Sequence, residues 1–333
     1  MSPAEAPPSG ALSVRHLLGI EGLTRDDVNL LLDTARNLDD VNKRPLKKVP
    51  ILRGRTVVTL FFENSTRTRL SFDVAAKRLS ADTVSFSASS SSLSKGETLL
   101  DTTRNIEAYG PDVVVIRHGY AGAAHMVAGV TAGAVINAGD GVHEHPTQAL
   151  LDAYTLLEKL GRSPAEGLDG LTIAIVGDIA HSRVAGSNLR LLPLLGAKVR
   201  VAGPKTMLPV GVEALCDHVT TDIDEAIEGA DAVMMLRIQK ERIAAPLMSS
   251  DREYNRRFGL TQARAERLAK DALILHPGPI NRGVEIDPEV ADSGRSIILD
   301  QARSGVAVRM ACLYLLTLGR MSAGKASAEK GDA

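Results

Sequence analysis

Short apolar, β-branched runs alternate with helical stripes along almost the whole chain, and this alternation constrains the fold more than any other feature. The runs lie at 56–62, 83–86, 113–116 and 134–137, then at 171–176, 199–201, 232–236 and 272–275. Most are followed by apolar residues at helical spacing. Phe72, Ala75, Ala76 and Leu79 make one such stripe, and Leu150, Ala153, Tyr154 and Leu157 make another. Strand-then-helix repetition implies parallel sheets with helices on their faces. An earlier helix is announced by Thr24 and Asp27, which are spaced as a cap pair. Val28, Leu31, Leu32 and Ala35 continue it. A chain of 333 residues with four such strands in each half is expected to form two doubly wound α/β domains, each a mainly parallel sheet flanked by helices.

The first domain is placed at 1–150 and the second at 151–303. Between their strands lies a helix opened by Pro146, a residue suited to the first helical position. Residues 161–170 then read as a loop. The last helix, 304–320, is apolar on nearly every side and is expected to pack back toward the first domain. The first ten residues and the tail 321–333 are small and polar, and are expected to be disordered.

Composition removes whole classes of function. Lys and Arg number 39 against 40 Asp and Glu, a net charge of -1, which leaves no basic surplus for phosphates of a nucleic acid. Aromatic residues are 3% and Trp is absent, which disfavours base stacking. No stretch is apolar enough to span a membrane; the nearest, 121–139, is mostly Ala and Gly and contains His125 and Asn137. Residues 1–10 lack the basic and apolar regions of a signal peptide, so a cytoplasmic location is expected. Cys216 and Cys312 make neither a disulfide framework nor a zinc site, and are read as buried apolar thiols.

In open α/β sheets, ligands bind at the carboxyl ends of the strands. After the first strand comes Glu63-Asn64-Ser65-Thr66-Arg67-Thr68-Arg69, which offers hydroxyls, guanidinium groups and a helix N-terminus to a phosphate. After the second comes the Ser-rich stretch 87–94, then Lys95-Gly96-Glu97-Thr98, expected as a mobile loop. After the third comes Arg117-His118-Gly119. After the fourth comes 139–148, with His143, His145, Pro146, Thr147 and Gln148. No carboxylate or Cys cluster with zinc spacing joins the two histidines, and no metal is expected. The turn at 177–183 holds one of the three glycines of a dinucleotide fingerprint, so no nicotinamide cofactor is expected. The second half adds Arg237-Ile238-Gln239-Lys240-Glu241-Arg242 and His276-Pro277-Gly278-Pro279.

Arg67, Arg117, Arg183 and Arg237 each follow a strand, two in each half. Arginine grips carboxylate or phosphate with a bidentate fork. The pattern implies strongly anionic substrates. No nucleophile elbow, Ser–His–Asp order or P-loop appears. Cations and a His without a nucleophile suit direct group transfer, driven by orientation and by stabilisation of developing charge.

Ser65-Thr66-Arg67-Thr68-Arg69, Lys95-Gly96-Glu97-Thr98 and His145-Pro146-Thr147-Gln148, in this order, resemble the motifs of the aspartate/ornithine carbamoyltransferases over about residues 12–318. The 237–242 segment resembles the aspartate-binding segment of the family. The features of its ornithine members are lacking, since Met248-Ser249 has no following Gly and 276–279 has no Cys. The resemblance implies transfer of a carbamoyl group from carbamoyl phosphate to L-aspartate, a step of pyrimidine synthesis. It implies that Ser65, Thr66, Arg67 and Thr68 hold the phosphate. Arg117, His145 and Thr68 would polarise the carbonyl, while Gln148 and the carbonyls of Gly278 and Pro279 orient the carbamoyl amide. Arg183, Arg237 and Gln239 would hold aspartate, and Lys95 would reach both substrates. It further implies a homotrimer in which the Lys95 loop, with Ser91 or Ser92, enters a neighbour's site. Domain closure follows from anchors on both halves. Regulatory chains or a dihydroorotase are partners that the resemblance allows. The loop is one residue shorter than in some relatives, and Gly278 stands where some carry Leu. The alternatives are carbamoyl transfer to ornithine or another amino acid, and a non-catalytic binding subunit.

Overall fold

The structure, a computed structural model, describes residues 10–87, 97–239 and 250–328, with side chains described as far as 318. The chain divides into two compact units, one of residues 1–150 with 304–333 and one of 151–303.

In the first unit, helix α1 (Arg25–Lys43) opens on a reciprocal cap. Thr24 Oγ1 accepts from the Asp27 N–H at 3.1 Å, and Asp27 Oδ2 accepts from the Thr24 N–H at 2.9 Å. Then follow β1 (Thr56–Phe61), α2 (Thr66–Arg78), β2 (Asp82–Ser87), α3 (Leu99–Glu107), β3 (Val113–His118), α4 (Ala123–Ala128), β4 (Ala134–Asp140) and α5 (Pro146–Leu160). The four strands are parallel, in the order β2-β1-β3-β4. Helices cover both faces of such a sheet, so its strands carry apolar residues in unbroken runs rather than in alternation. Val58, Leu60, Val114 and Ile116 pack with Ala123, Ala124 and Val127 of α4.

In the second unit come β5 (Thr172–Val176), α6 (Arg183–Leu194), β6 (Lys198–Ala202), β7 (His218–Thr220), α7 (Ile223–Ile227), β8 (Ala232–Met235), α8 (Asp251–Phe258), α9 (Gln262–Arg267), β9 (Leu273–Leu275) and α10 (Pro288–Ala291). This sheet is also parallel, in the order β7-β6-β5-β8-β9. It has five strands where four are expected. The extra one, β7, is a three-residue edge strand with a single aliphatic residue, Val219, and so leaves no apolar run to read.

The last helix, α11 (Ile298–Ala328), is longer than expected at both ends. It continues through 321–328 because Met321, Ala323, Lys325, Ala326 and Ala328 all favour helix and no proline intervenes. Within the first unit, Arg309 Nη1 donates to Ser71 Oγ at 2.8 Å, and its guanidinium lies 5.1 Å from the centre of the Phe72 ring. Cys312 is fully buried in this helix, and burial pushes its thiol up to about 12. Cys216 is only half-buried, because it lies two residues before the edge strand β7. Among the described residues, no helix is long and apolar enough to cross a membrane.

The two sheets share one device. Asp112, just before β3, accepts from the Thr56 N–H of β1 at 2.9 Å. Asp231, just before β8, accepts from the Thr172 N–H of β5 at 2.8 Å. Each carboxylate pins the two central strands of its sheet at their amino ends. Asp231→Ala leaves the Thr172 N–H without this partner and is expected to lower stability by about 1–3 kcal/mol. Urea unfolding of the purified variant measures it, and an unchanged midpoint would contradict the pin.

Candidate active site

Strand order places the unusual residues. In a doubly wound sheet the ligand crevice opens where the winding reverses, outside the carboxyl ends of two adjacent strands. The first sheet reverses between β1 and β3, and the second between β5 and β8. The Ser65–Arg67 turn follows β1, and Arg117 is the penultimate residue of β3. The Arg183 turn follows β5, and Arg237 follows β8. All four arginines singled out from the sequence therefore belong to reversal points, two in each unit.

Ser65 is the N-cap of α2, yet its side chain makes no capping bond. The first intrahelical bond runs from the Arg69 N–H to the Ser65 carbonyl at 3.1 Å. Helix geometry thus leaves the N–H groups of Thr66, Arg67 and Thr68 without intrahelical partners. Arg67 is exposed and Thr68 is buried. Three backbone N–H groups, three hydroxyls and a guanidinium at one helix start are the kinds of group that can hold an anion.

Arg117 is held by its guanidinium. Its Nη1 donates to the Ala138 carbonyl at 3.0 Å, and Nε lies 3.4 Å from Glu63 Oε2. His118 beside it packs on the Phe62 ring, with centroids 5.0 Å apart. Burial holds the His118 imidazole below its ordinary value, against the opposing pull of Glu63 and Asp140. His145 is buried immediately ahead of α5, and Gln148 is buried in the first turn. The loop between β4 and α5 is organised by Asp140. That carboxylate accepts from the Gly122 N–H at 2.7 Å, from Asn137 Nδ2 at 2.8 Å and from the Glu144 N–H at 3.2 Å. His143 Nδ1 also lies 3.2 Å from it. His143 is thereby part of the loop's scaffold. Glu144 is fully buried and accepts from the Ile20 N–H at 2.7 Å. Gly19 has no Cβ for a reason: one would meet Glu144 Oε1 at 2.5 Å.

In the second unit, Arg183 is the first residue of α6 and is almost wholly buried. Arg237 and Gln239 are half-buried just beyond β8. Asp178, fully buried, ties the two segments together. Its Oδ1 lies 2.8 Å from His181 Nδ1 and accepts from the His181 N–H at 3.2 Å, while Oδ2 accepts from the Gln239 N–H at 3.3 Å. Gly278 and Pro279 form a cis turn beyond β9, with Gly278 at φ +67°. Lys95, Ser91 and Ser92 lie outside the described residues, as do Lys240, Glu241, Arg242, Met248 and Ser249.

Comparison with known proteins agrees with these two halves one by one. Residues 15–158 match the carbamoyl-phosphate binding domain of the aspartate/ornithine carbamoyltransferases, and residues 169–316 match their Asp/Orn binding domain. The chain belongs to the aspartate/ornithine carbamoyltransferase family. Among its relatives, the aspartate carbamoyltransferase catalytic subunit of Desulfosudis oleivorans is 58% identical over 313 residues, 94% of this chain and 99% of that one. That of Acidothermus cellulolyticus is 58% identical over 306 residues, 92% of this chain and 93% of that one. Among solved structures, aspartate transcarbamoylase from Trypanosoma cruzi in complex with N-(phosphonacetyl)-L-aspartic acid superposes with a TM-score of 0.84 at 33% identity, covering 93% of this chain and 98% of that one. Ornithine carbamoyltransferase from Thermus thermophilus gives 0.79 at 28% identity, covering 91% and 99%.

For this member of the carbamoyltransferase family, reading the sequence for cations missed the carboxylates. Asp140 and Asp178 are buried and hold the loops on which His145, Arg183 and Gln239 sit. A signal was present: each follows a glycine just beyond an apolar run, as Gly139-Asp140 after 134–137 and Gly177-Asp178 after 171–176. Glu144 and Glu285 carried no comparable signal, because their partners are distant backbone groups or a buried ring.

Proposed function

We propose that the protein catalyses carbamoyl transfer from carbamoyl phosphate to the α-amino group of L-aspartate, giving N-carbamoyl-L-aspartate and phosphate. The observation that carries this reading is the placement of one arginine pair at the reversal point of each sheet. One pair sits at a helix start whose N-cap Ser65 makes no side-chain capping bond, as suits a phosphate; the other sits at the start of α6, which Ser182 caps through the Ala185 N–H, and suits two carboxylates.

The phosphate is held by Ser65, Thr66, Thr68, Arg67 and the first N–H groups of α2. Thr68, Arg117 and His145 donate to the carbamoyl oxygen and stabilise its charge as the carbonyl carbon becomes tetrahedral. Gln148 and the carbonyls of Gly278 and Pro279 orient the carbamoyl NH2. Arg183 takes the α-carboxylate of aspartate, Arg237 with Gln239 takes the β-carboxylate, and Lys95 serves both substrates.

The amino acid enters as an ammonium and gives up one proton to solvent to become nucleophilic. Its lone pair then forms the new C–N bond. The C–O bond to phosphate breaks, and the leaving oxygen takes the electron pair and the second amine proton. No covalent enzyme intermediate is needed, so positioning and charge stabilisation supply the rate.

The reading extends to a homotrimer that completes each site with the Lys95 loop of a neighbour, and to a place in pyrimidine synthesis. Both are tested together by assaying carbamoyl transfer to a panel of amino acids on protein sized in solution. A trimer that uses aspartate and ignores ornithine is the expected result. Preference for ornithine, or tight ligand binding without turnover, would refute it.

A further inference from the structure

We propose that Glu285 is a positioning residue for carbamoyl transfer, acting through His276 to fix the Gly278–Pro279 turn; this rests on the reading of that turn as the acceptor of the carbamoyl amide.

The argument begins with a proton. The Gly278 N–H donates to His276 Nδ1 at 2.8 Å. An accepting Nδ1 must carry a lone pair, so the proton of the neutral ring sits on Nε2. Nε2 lies 3.0 Å from Glu285 Oε1, which therefore receives that proton's hydrogen bond. The carboxylate selects the tautomer, and the tautomer makes the ring an acceptor for the turn. The same Oε1 also accepts from the Asn281 N–H at 2.6 Å. One oxygen thus ties both ends of the 276–281 loop.

The backbone that carries the ring is itself anchored. The His276 backbone N–H donates to Gln301 Oε1 at 3.0 Å, and Gln301 Nε2 donates to Asp152 Oδ1 at 2.7 Å. His276, Glu285, Gln301 and Asp152 are all buried. Gly278, at φ +67°, holds a conformation that other residues rarely adopt, and its N–H bond to the ring is what secures it.

Packing does not account for the carboxylate. Glu285 is fully buried, and its Oε2 has no hydrogen-bond partner among the described residues. Burial, with smaller contributions from Glu285 and Asp178, pushes the Tyr254 phenol well above its ordinary value. A buried, half-satisfied carboxylate costs stability. An apolar residue of the same size would fill the space with less penalty. What it would not supply is the acceptor for His276 and Asn281.

The test compares Glu285→Met with Glu285→Gln, and reads the tautomer of His276 in the unaltered protein by 15N NMR. Met removes the acceptor, and its turnover is expected to fall about 100-fold through misplacement of the turn. Gln keeps an oxygen able to accept from both donors, and is expected to restore turnover to within about tenfold of the parent. The imidazole of the parent is expected to be neutral and protonated on Nε2. A parent ring protonated on Nδ1 overturns the proposal even where Glu285→Met fails to fold. So does a Met variant as active as the parent, or a Gln variant as impaired as Met. A parent enzyme that carbamoylates no amino acid would instead remove the reading of the turn, and this role with it.

Discussion

Arg67→Ala is expected to abolish measurable binding of carbamoyl phosphate while leaving the fold intact. Arg67 is exposed in the first turn of α2, so its removal opens no cavity. Its worth lies in the charge-assisted fork it offers a dianion. Two such bonds at about 1.5–3 kcal/mol each correspond to roughly 100-fold to 10,000-fold in affinity. Calorimetric titration with carbamoyl phosphate, and with inorganic phosphate as the simpler ligand, measures the loss. Arg67→Lys keeps the charge without the fork and should fall between the two. Affinity in the alanine variant within a few-fold of the parent would remove the phosphate site from α2.

Asp178→Ala is expected to weaken use of the second substrate although Asp178 touches no ligand in the proposed mechanism. The carboxylate binds His181 on the Arg183 turn and the Gln239 N–H on the Arg237 segment. Without it, two groups meant for the two carboxylates of one small molecule lose their common anchor. Misplacement on this scale costs on the order of 100-fold in kcat/KM for aspartate. The loss of bonds to a buried carboxylate should also lower stability by about 1–3 kcal/mol. The discriminating observation is the ratio. Binding of carbamoyl phosphate by the first unit should change little, because none of its named anchors except Gly278 and Pro279 lies in the second. Equal losses for both substrates would mean a general loss of structure rather than a loosened anchor.

Much of this was legible in the sequence, for identifiable reasons. The strands of a parallel sheet are buried on both faces, so they announce themselves as unbroken apolar runs. Thr24 and Asp27, and Pro146, marked helix starts because capping and a fixed φ are local properties. The arginines could be picked out because a strand end is a ligand position whatever the strand order. What stayed hidden was non-local. Val219 alone could not announce β7, whose existence depends on pairing with β6. That the arginines fall at reversal points needed the strand order. The buried carboxylates Asp140, Asp178 and Glu285 looked like ordinary surface acids until their partners were in place. The end of α11 was misjudged because small residues suit both a helix and a tail.

The aspartates that pin the central strands turn each sheet into a ruler with its zero at one end. Asp112 fixes the start of β3 and Arg117 is read off near its far end; Asp231 does the same for Arg237 beyond β8. Side chains along a strand alternate faces, so one residue added between pin and arginine would turn the guanidinium to the wrong side of the sheet. Length is therefore rationed between Asp112 and Arg117, and between Asp231 and Arg237. Insertions and deletions in this protein should be tolerated least between each aspartate and the arginine that its strand carries to the carboxyl end.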